Sequence, residues 1–147
     1  MSFQKTWHAK LDDLPQVAQE VAARLEGQKP FVLWLKGELG AGKTTLTRDI
    51  LYKLGLGGDV PVLSPTYTWL TEYQTSSGLV AHMDLYRLAD GDHDSVLMLL
   101  SGRSYAGLIV EWPERAEDCD LITPTAEISI KATDADSPRT IIYRDGF

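Results

Sequence analysis

The chain has 147 residues, a length typical of one domain, and a formal net charge of −7. That acidic balance argues against a large direct interface with a nucleic-acid backbone, because such interfaces favour basic surfaces. The single cysteine, Cys119, excludes an internal disulfide, and no apolar run is long enough to span a membrane. We therefore expect a cytoplasmic protein whose residues 1–147 form a single domain.

The first predicted elements are a short strand over residues 3–9 and an amphipathic helix. Asp13 is the expected N-cap of this helix, with Gln16 in the capping-box position. The apolar face of the helix is formed by Leu14, Val17, Ala18, Val21 and Leu25. Gly27 and Pro30 end it. We assign this helix a structural role on the face of a sheet.

A glycine-rich loop follows a buried strand and precedes a second helix. Residues 31–35 are continuously apolar, as in a strand buried on both faces, and residues 37–44 fit the Walker A pattern G-x-x-x-x-G-K-[ST]. Apolar residues then recur every four positions until Gly55, a suitable helix stop. Inward-pointing backbone N–H groups and a helix N-terminus bind anions, so this context predicts a nucleotide site.

The residue types of the loop predict distinct roles. Lys43 is expected to reach the β- and γ-phosphates, and the hydroxyl of Thr44 is expected to bind Mg²⁺. The predicted nucleotide contacts are Glu38, Leu39, Gly40, Ala41, Gly42, Lys43, Thr44 and Thr45.

A loop rich in serine and threonine covers residues 64–68. Switch-type nucleotidases place a hydroxyl near Mg²⁺ and the γ-phosphate at this point of the chain, which makes Thr66 a candidate. From the spacing alone, a simple turn into the next strand is an equally good interpretation.

Two predicted strands end in an acidic residue. Strands over 69–74 and 79–85 form a predicted hairpin that ends near Asp84, and the apolar run 108–111 ends in Glu111. Open α/β sheets bind ligands at the carboxyl ends of their strands, and a P-loop site needs such carboxylates. We expect Glu111 to reach Mg²⁺ and Asp84 to orient or deprotonate the attacking water. Exchanged roles and a purely structural Glu111 stay open.

The remaining polar residues receive structural interpretations. His82 is expected to be a packed or exposed histidine, and Arg87 an ion-pair residue. Asp90, Asp92 and Asp94 lack the glycine and glutamate of a calcium loop, so we expect them to cap a short helix over 95–100. The rest of the chain predicts three elements: a short helix from Pro113 through Asp118, and strands 126–131 and 140–143 joined by a polar loop over 133–137.

Four stretches taken together resemble the TsaE family, formerly YjeE. They are the loop over 37–45, S-P-T-Y-T over 64–68 with Glu72-Tyr73, H-M-D-L-Y-R-L over 82–88, and V-E-W-P-E-R over 110–115. The resemblance covers most of residues 10–116. It implies an ATPase that takes part in making threonylcarbamoyladenosine (t6A) on tRNAs that read codons beginning with A.

The resemblance also implies partners and residue roles. The partners are the threonylcarbamoyl-transferase subunit and its inactive paralogue, of the TsaD and TsaB type, with tRNA reached only through that complex. Thr66 would belong to a switch-like loop, and Trp112 would lie near the nucleotide. Asp84 and Glu111 would be the acids of the Mg²⁺ and water network, which with Lys43 gives the catalytic set. Residues 90–105 match the family pattern poorly.

The expected fold is therefore a three-layer α/β domain of the P-loop NTPase type. Its central sheet is expected to be mixed and mostly parallel, with antiparallel hairpins. Two other functions use the same loop: a small-molecule kinase and a nucleotide-binding regulatory module with negligible turnover. No arginine-rich insert suits a kinase lid, whereas the module uses the same residues as an ATPase. The sequence does not indicate an oligomeric state.

Overall fold

A computed structural model of the chain describes residues 2–134 and 136–147. In these residues one sheet carries three α-helices. The strands are β1 (Phe3–Ala9), β2 (Phe31–Gly37), β3 (Leu70–Thr75), β4 (Gly78–Asp84), β5 (Gly107–Glu111), β6 (Ala126–Lys131) and β7 (Arg139–Asp145). The helices are α1 (Leu14–Glu26), α2 (Lys43–Lys53) and α3 (His93–Leu100). Ala135, in the predicted loop over 133–137, lies outside the described residues.

The seven strands follow the order β1-β7-β6-β2-β5-β4-β3. The four central strands β6, β2, β5 and β4 are parallel, because they are joined by crossovers that pass over the sheet. Three antiparallel pairs complete the sheet: β1 with β7, β7 with β6, and β4 with β3. The predicted mixed sheet with antiparallel hairpins is thereby confirmed, with its parallel pairs confined to the centre.

Apolar layers cover both faces of the sheet and give the predicted three-layer arrangement. On one face α1 and α2 pack over a core that includes Val80 of β4 and Ile109 of β5. On the other face α3 and the turns after β5 cover Met83 and Val110. Successive residues of a strand point to opposite faces, so His82 and Asp84 lie on the α1/α2 side with Val80.

The N-terminal helix differs from its prediction at one end. All five residues of its predicted apolar face are buried. Asp13, however, makes no side-chain bond to the helix that follows, and accepts instead from the backbone N–H of Lys10 at 3.0 Å. The predicted capping box with Gln16 was therefore wrong, because a 3₁₀ turn at Leu11–Asp13 already precedes the helix and Pro15 removes one of the N–H groups that a cap would bind.

The short elements around β4 and β5 lie close to their predicted positions. β3 and β4 form the predicted hairpin. Helix α3 begins at His93, two residues before the predicted start, and Asp92 caps it by accepting from the Ser95 N–H at 3.2 Å. The helix opened by Pro113 is a 3₁₀ turn that ends at Ala116 rather than Asp118. Among the helices of the described residues, none is long and apolar enough to cross a bilayer.

Candidate functional site

The carboxyl ends of β2, β4 and β5 meet at one edge of the sheet. Leu35 of β2 and Asp84 of β4 both lie beside Glu111 of β5 in the strand register. The glycine-rich loop leaves β2 at the same edge. Two acids 27 residues apart in sequence are thus placed at one sheet edge because their strands are parallel neighbours.

A cavity of about 480 Å³ opens at this edge, within the range of about 300–1,000 Å³ usual for ligand pockets. It brings together the predicted site residues Glu38, Leu39, Gly40, Gly42, Lys43, Thr44, Thr45, Thr66, Asp84, Glu111 and Trp112. Ala41 lines an adjacent cavity on the other side of the loop. Four further residues line the first cavity without having been predicted: Leu11, Ser64, Tyr86 and Arg139.

The loop over 37–44 has the backbone that its glycines permit. Gly40 and Gly42 have φ angles of 79° and 106°, in the left-handed region where a side chain would be strained. Helix α2 starts directly at Lys43. Its N-terminus therefore points its free N–H groups and the positive end of its dipole at the cavity, an arrangement suited to an anion.

Lys43 lies folded against its own loop. The side-chain ammonium donates to the carbonyl oxygens of Gly37 and Glu38, the latter at 3.2 Å, and lies 4.3 Å from the centroid of the Trp112 ring. Burial lowers the pKa of Lys43, and the nearby carboxylates of Glu111 and Asp84 oppose that shift. The direct partners of this cation are two neutral carbonyl oxygens and a ring face, so an anionic ligand would stabilise its charge more strongly than they do.

Asp84 joins the end of β4 to the loop over 64–68. Its Oδ2 accepts from the hydroxyl of Ser64 at 2.8 Å and from that of Thr66 at 3.0 Å, while its Oδ1 accepts from the N–H of Tyr86 at 2.9 Å. The loop is therefore attached to a site carboxylate through two hydroxyl groups. A simple turn into β3 would not need this contact.

Glu111 has a buried partner in His82. Oε2 of Glu111 lies 2.5 Å from Nε2 of His82, and both side chains are almost wholly inaccessible to water. The histidine is packed, as expected, but it contacts a predicted site residue. No short stretch signals this contact, because the two residues lie on different strands; the H-x-D spacing places only His82 and Asp84 on one side of β4.

Trp112 holds a strained backbone between Glu111 and Pro113. Its φ and ψ are 57° and 47°, a left-handed conformation that costs a residue with a bulky side chain about 1–2 kcal/mol. The following proline disfavours the right-handed helical alternative. The ring is thereby turned into the cavity, beside Lys43 and at 5.0 Å from the Tyr86 ring.

Arg139 supports the loop from β7. Its Nε donates to the carbonyl oxygen of Ala41 at 2.9 Å, and only 6% of the residue is exposed. The two residues are 98 positions apart, and an arginine after Pro138 carries no local signal of this contact. Sequence reasoning therefore missed it.

The oxygen atoms that line the cavity fit a magnesium ion. Thr44, Asp84 and Glu111 supply one hydroxyl and two carboxylates, and Mg²⁺ usually takes one or two carboxylates together with phosphate oxygens and water. Across residues 2–134 and 136–147, no group of three or more His, Cys, Asp or Glu side chains is arranged to hold a metal by itself.

A protein-family model matches most of the chain. The family model described as "Threonylcarbamoyl adenosine biosynthesis protein TsaE" matches residues 8–141, which include the glycine-rich loop, the hydroxyl-rich loop and both strand-end acids.

Two relatives from distant bacteria are similar over most of their length, and each is named tRNA threonylcarbamoyladenosine biosynthesis protein TsaE. The protein from Aquifex aeolicus is 36% identical over 133 residues, which is 90% of this chain and 90% of that protein. The protein from Haemophilus influenzae is 37% identical over 126 residues, which is 83% of this chain and 75% of that protein.

A solved structure shares the whole fold. The crystal structure of YdiB from Bacillus subtilis superposes with a TM-score of 0.67 at 28% sequence identity, covering 99% of this chain and 87% of that one. The family expected from the four sequence stretches is thus confirmed by a match over nearly the whole chain. The chain belongs to the TsaE family of threonylcarbamoyl adenosine biosynthesis proteins.

Proposed function

We propose that the protein is a Mg²⁺-dependent ATPase that acts as a switch subunit in t6A modification of tRNA. The observation that carries the proposal is one cavity that combines the P-loop residues Lys43 and Thr44 with the carboxylates of Asp84 and Glu111. Membership of the TsaE family supplies the process in which hydrolysis would be used.

Binding of ATP would use groups that already face the cavity. The N–H groups of the loop and of the first turn of α2 would bind the phosphates. The ammonium of Lys43 would leave two carbonyl oxygens and a ring face and would bind charged phosphate oxygens. Hydrogen bonds between two charged groups are stronger than those to neutral carbonyls. Arg139 would keep the loop in place through the carbonyl of Ala41.

Hydrolysis would break the bond between the γ-phosphorus and the oxygen that bridges to the β-phosphate, as a water oxygen bonds to the γ-phosphorus. Thr44 and Glu111 would hold Mg²⁺, which when bound neutralises charge that develops on the phosphates. Asp84 would orient the water and accept its proton, and the products would be ADP and inorganic phosphate.

The loop over 64–68 would report the nucleotide state. Ser64 and Thr66 are bonded to Asp84, so any change at that carboxylate reaches the loop directly. Leu63 and Tyr67 beside them are 72% and 83% exposed, which gives the loop apolar surface for a partner. The partners that we propose are the threonylcarbamoyl-transferase subunit and its inactive paralogue, with tRNA reached through them.

The test is a phosphate-release assay with ATP, with and without Mg²⁺, alone and with the reconstituted transferase complex. We expect slow Mg²⁺-dependent hydrolysis that the complex accelerates. Parallel reactions with radiolabelled ATP and a set of small hydroxyl compounds would reveal a kinase. Label transferred to an acceptor, or tight ATP binding with no turnover in the complex, would contradict the proposal.

A further inference from the structure

His82 is a buried polar residue with no part in the function described so far. Its side chain is 0% exposed and lies on β4, on the same side of the sheet as Asp84. In the strand register His82 lies beside Ile109, and Asp84 lies beside Glu111. The imidazole therefore reaches diagonally along the sheet to touch Glu111, two positions beyond its direct neighbour.

The contact determines which nitrogen of the ring carries a proton. Nε2 lies 2.5 Å from Oε2 of Glu111, while Nδ1 is buried and has no hydrogen-bond partner among the described residues. A carboxylate oxygen accepts, so Nε2 must donate. A proton on Nδ1 would be left unpaired away from water, whereas an unprotonated Nδ1 leaves only an acceptor unused. The geometry favours the tautomer with its proton on Nε2.

The same contact constrains Glu111. A glutamate side chain has several torsions to fix, so a defined carboxylate orientation needs a partner that holds it. The hydrogen bond from His82 Nε2 restrains Oε2 and with it the orientation of the carboxylate. Oε1 is then the oxygen available to a ligand. Glu111 itself is 3% exposed and lines the cavity, so a ligand can reach its free oxygen only from the cavity.

We propose that His82 is a positioning residue, whose Nε2–H holds the Glu111 carboxylate in the orientation that binds the metal–nucleotide complex. The proposal rests on the proposed ATPase function. Groups that orient a metal-binding side chain typically change metal affinity or activity by about 10–100-fold when removed.

The test compares two amides at position 82. In His82→Gln the amide nitrogen can occupy the place of Nε2, whereas in His82→Asn it reaches only the place of Nδ1. For each we would measure Mn²⁺ affinity of the complex with a non-hydrolysable ATP analogue by electron paramagnetic resonance, together with kcat and the melting temperature. We expect His82→Asn to lose about 10–100-fold in Mn²⁺ affinity and kcat, and His82→Gln to stay within about threefold of the parent.

The control for lost packing is Val80→Ala, a change on the same strand and the same face; Val80 lies beside Gly107, four residues before Glu111. It should lower the melting temperature and leave Mn²⁺ affinity and kcat unchanged. If His82→Asn does not fold, His82→Leu replaces it as an apolar variant without a donor. Parental Mn²⁺ affinity and kcat in His82→Asn, or in His82→Leu where it replaces that variant, would overturn the positioning role. Equal losses in that variant and in His82→Gln would overturn it as well.

Failure of the proposed function gives a different result. A parent that binds Mn²⁺ and the analogue but releases no phosphate from ATP would refute the ATPase, and the Mn²⁺ affinities would still decide the role of His82. A parent that binds no Mn²⁺ with the analogue would overturn both.

Discussion

The hydroxyl of Thr66 donates to Oδ2 of Asp84 at 3.0 Å and so ties an exposed loop to the end of a central strand. Ser64 makes a second bond to the same oxygen at 2.8 Å, and the two hydroxyls lie 3.0 Å from each other. One carboxylate oxygen is thus shared by two residues of a single loop. A ligand that competes for Asp84 or for either hydroxyl would have to break these bonds, and the proposed switch depends on that change.

Replacement of Thr66 by valine keeps the shape of the side chain and removes its hydroxyl. We expect Thr66→Val to weaken the preference of the transferase complex for the ATP-bound over the ADP-bound protein, because a ligand shifts an equilibrium only by its different affinity for the two states. Calorimetric titrations with a non-hydrolysable analogue and with ADP measure that preference. Thr68→Val, in the same loop and exposed, is the matched control. An undiminished preference in Thr66→Val would exclude this residue from the switch.

Replacement of Lys43 by alanine removes the cation from the P-loop. We expect loss of ATP hydrolysis by at least about 100-fold, since stabilisation of transferred phosphoryl charge is the main catalytic contribution in such sites. The fold should persist, because the loop keeps its glycine backbone and Arg139 still binds Ala41. Circular dichroism and phosphate release check both points. Lys53→Ala, an exposed lysine in the last turn of α2, should retain parental turnover.

Substitutions of the two strand-end acids, Asp84 and Glu111, should change different quantities. Glu111→Gln is expected to weaken Mn²⁺ binding to the nucleotide complex, because it removes the charge of a proposed metal ligand. Asp84→Asn is expected to leave metal affinity nearly intact and to slow turnover by about 10²–10⁴-fold, the usual contribution of a general base. Electron paramagnetic resonance and single-turnover kinetics measure the two quantities. Equal metal affinity in the parent and Glu111→Gln would show that the roles are reversed or that Glu111 is structural.

A cluster far from the cavity predicts how stability depends on pH. Asp145 is buried at the end of β7, where it accepts two bonds from Arg24 at 2.6 and 2.9 Å and further bonds from Gln28 and Tyr143. The bonds from Arg24, followed by burial acting in the opposite direction, leave the pKa of Asp145 lowered. A lowered pKa in the folded state means that this stabilisation is present above the unfolded pKa, near 4, and is lost as the pH falls through the folded value.

The test of this cluster is Asp145→Asn, which removes the charge and keeps the size. We expect a loss on the order of 2 kcal/mol at neutral pH, seen as a melting temperature lower by about 4–8 °C. The difference between parent and variant should shrink as the pH falls below 4. Glu127→Gln is the control and should change stability little, because the Glu127 side chain is 13% exposed and that of Asp145 only 4%. A difference that stays constant down to pH 2 would exclude the carboxylate as its origin.

Much of the fold was predictable because its signals are local. Continuous apolar runs mark β2 and β5, and apolar side chains spaced by three or four residues mark α1 and α2. The P-loop could be placed because its glycines, lysine and threonine lie within eight residues, each required by the backbone or by phosphate chemistry. Asp84 and Glu111 could be found because acids at strand ends meet wherever the strands are parallel neighbours.

The contacts that escaped prediction depend on strand order, which no short stretch encodes. Arg139 contacts the glycine-rich loop only because β6 lies beside β2 and β7 lies beside β6. His82 was recognisable as a packed residue, but its contact with Glu111 requires β4 and β5 to be adjacent and in one register. Asp13 holds the predicted N-cap position of α1, but its side chain bonds to the 3₁₀ turn just before it, which the sequence pattern does not reveal.

The position of β1 has a consequence for how the chain folds as it is synthesised. Within the sheet of the described residues, β1 has β7 as its one neighbour, so the first of these seven strands to be synthesised pairs with the last of them. Until then β1 is an unpaired strand, and such strands are open to pairing with other chains. The exposed residues of β1, Gln4, Lys5, Thr6 and His8, are all polar, which disfavours such pairing.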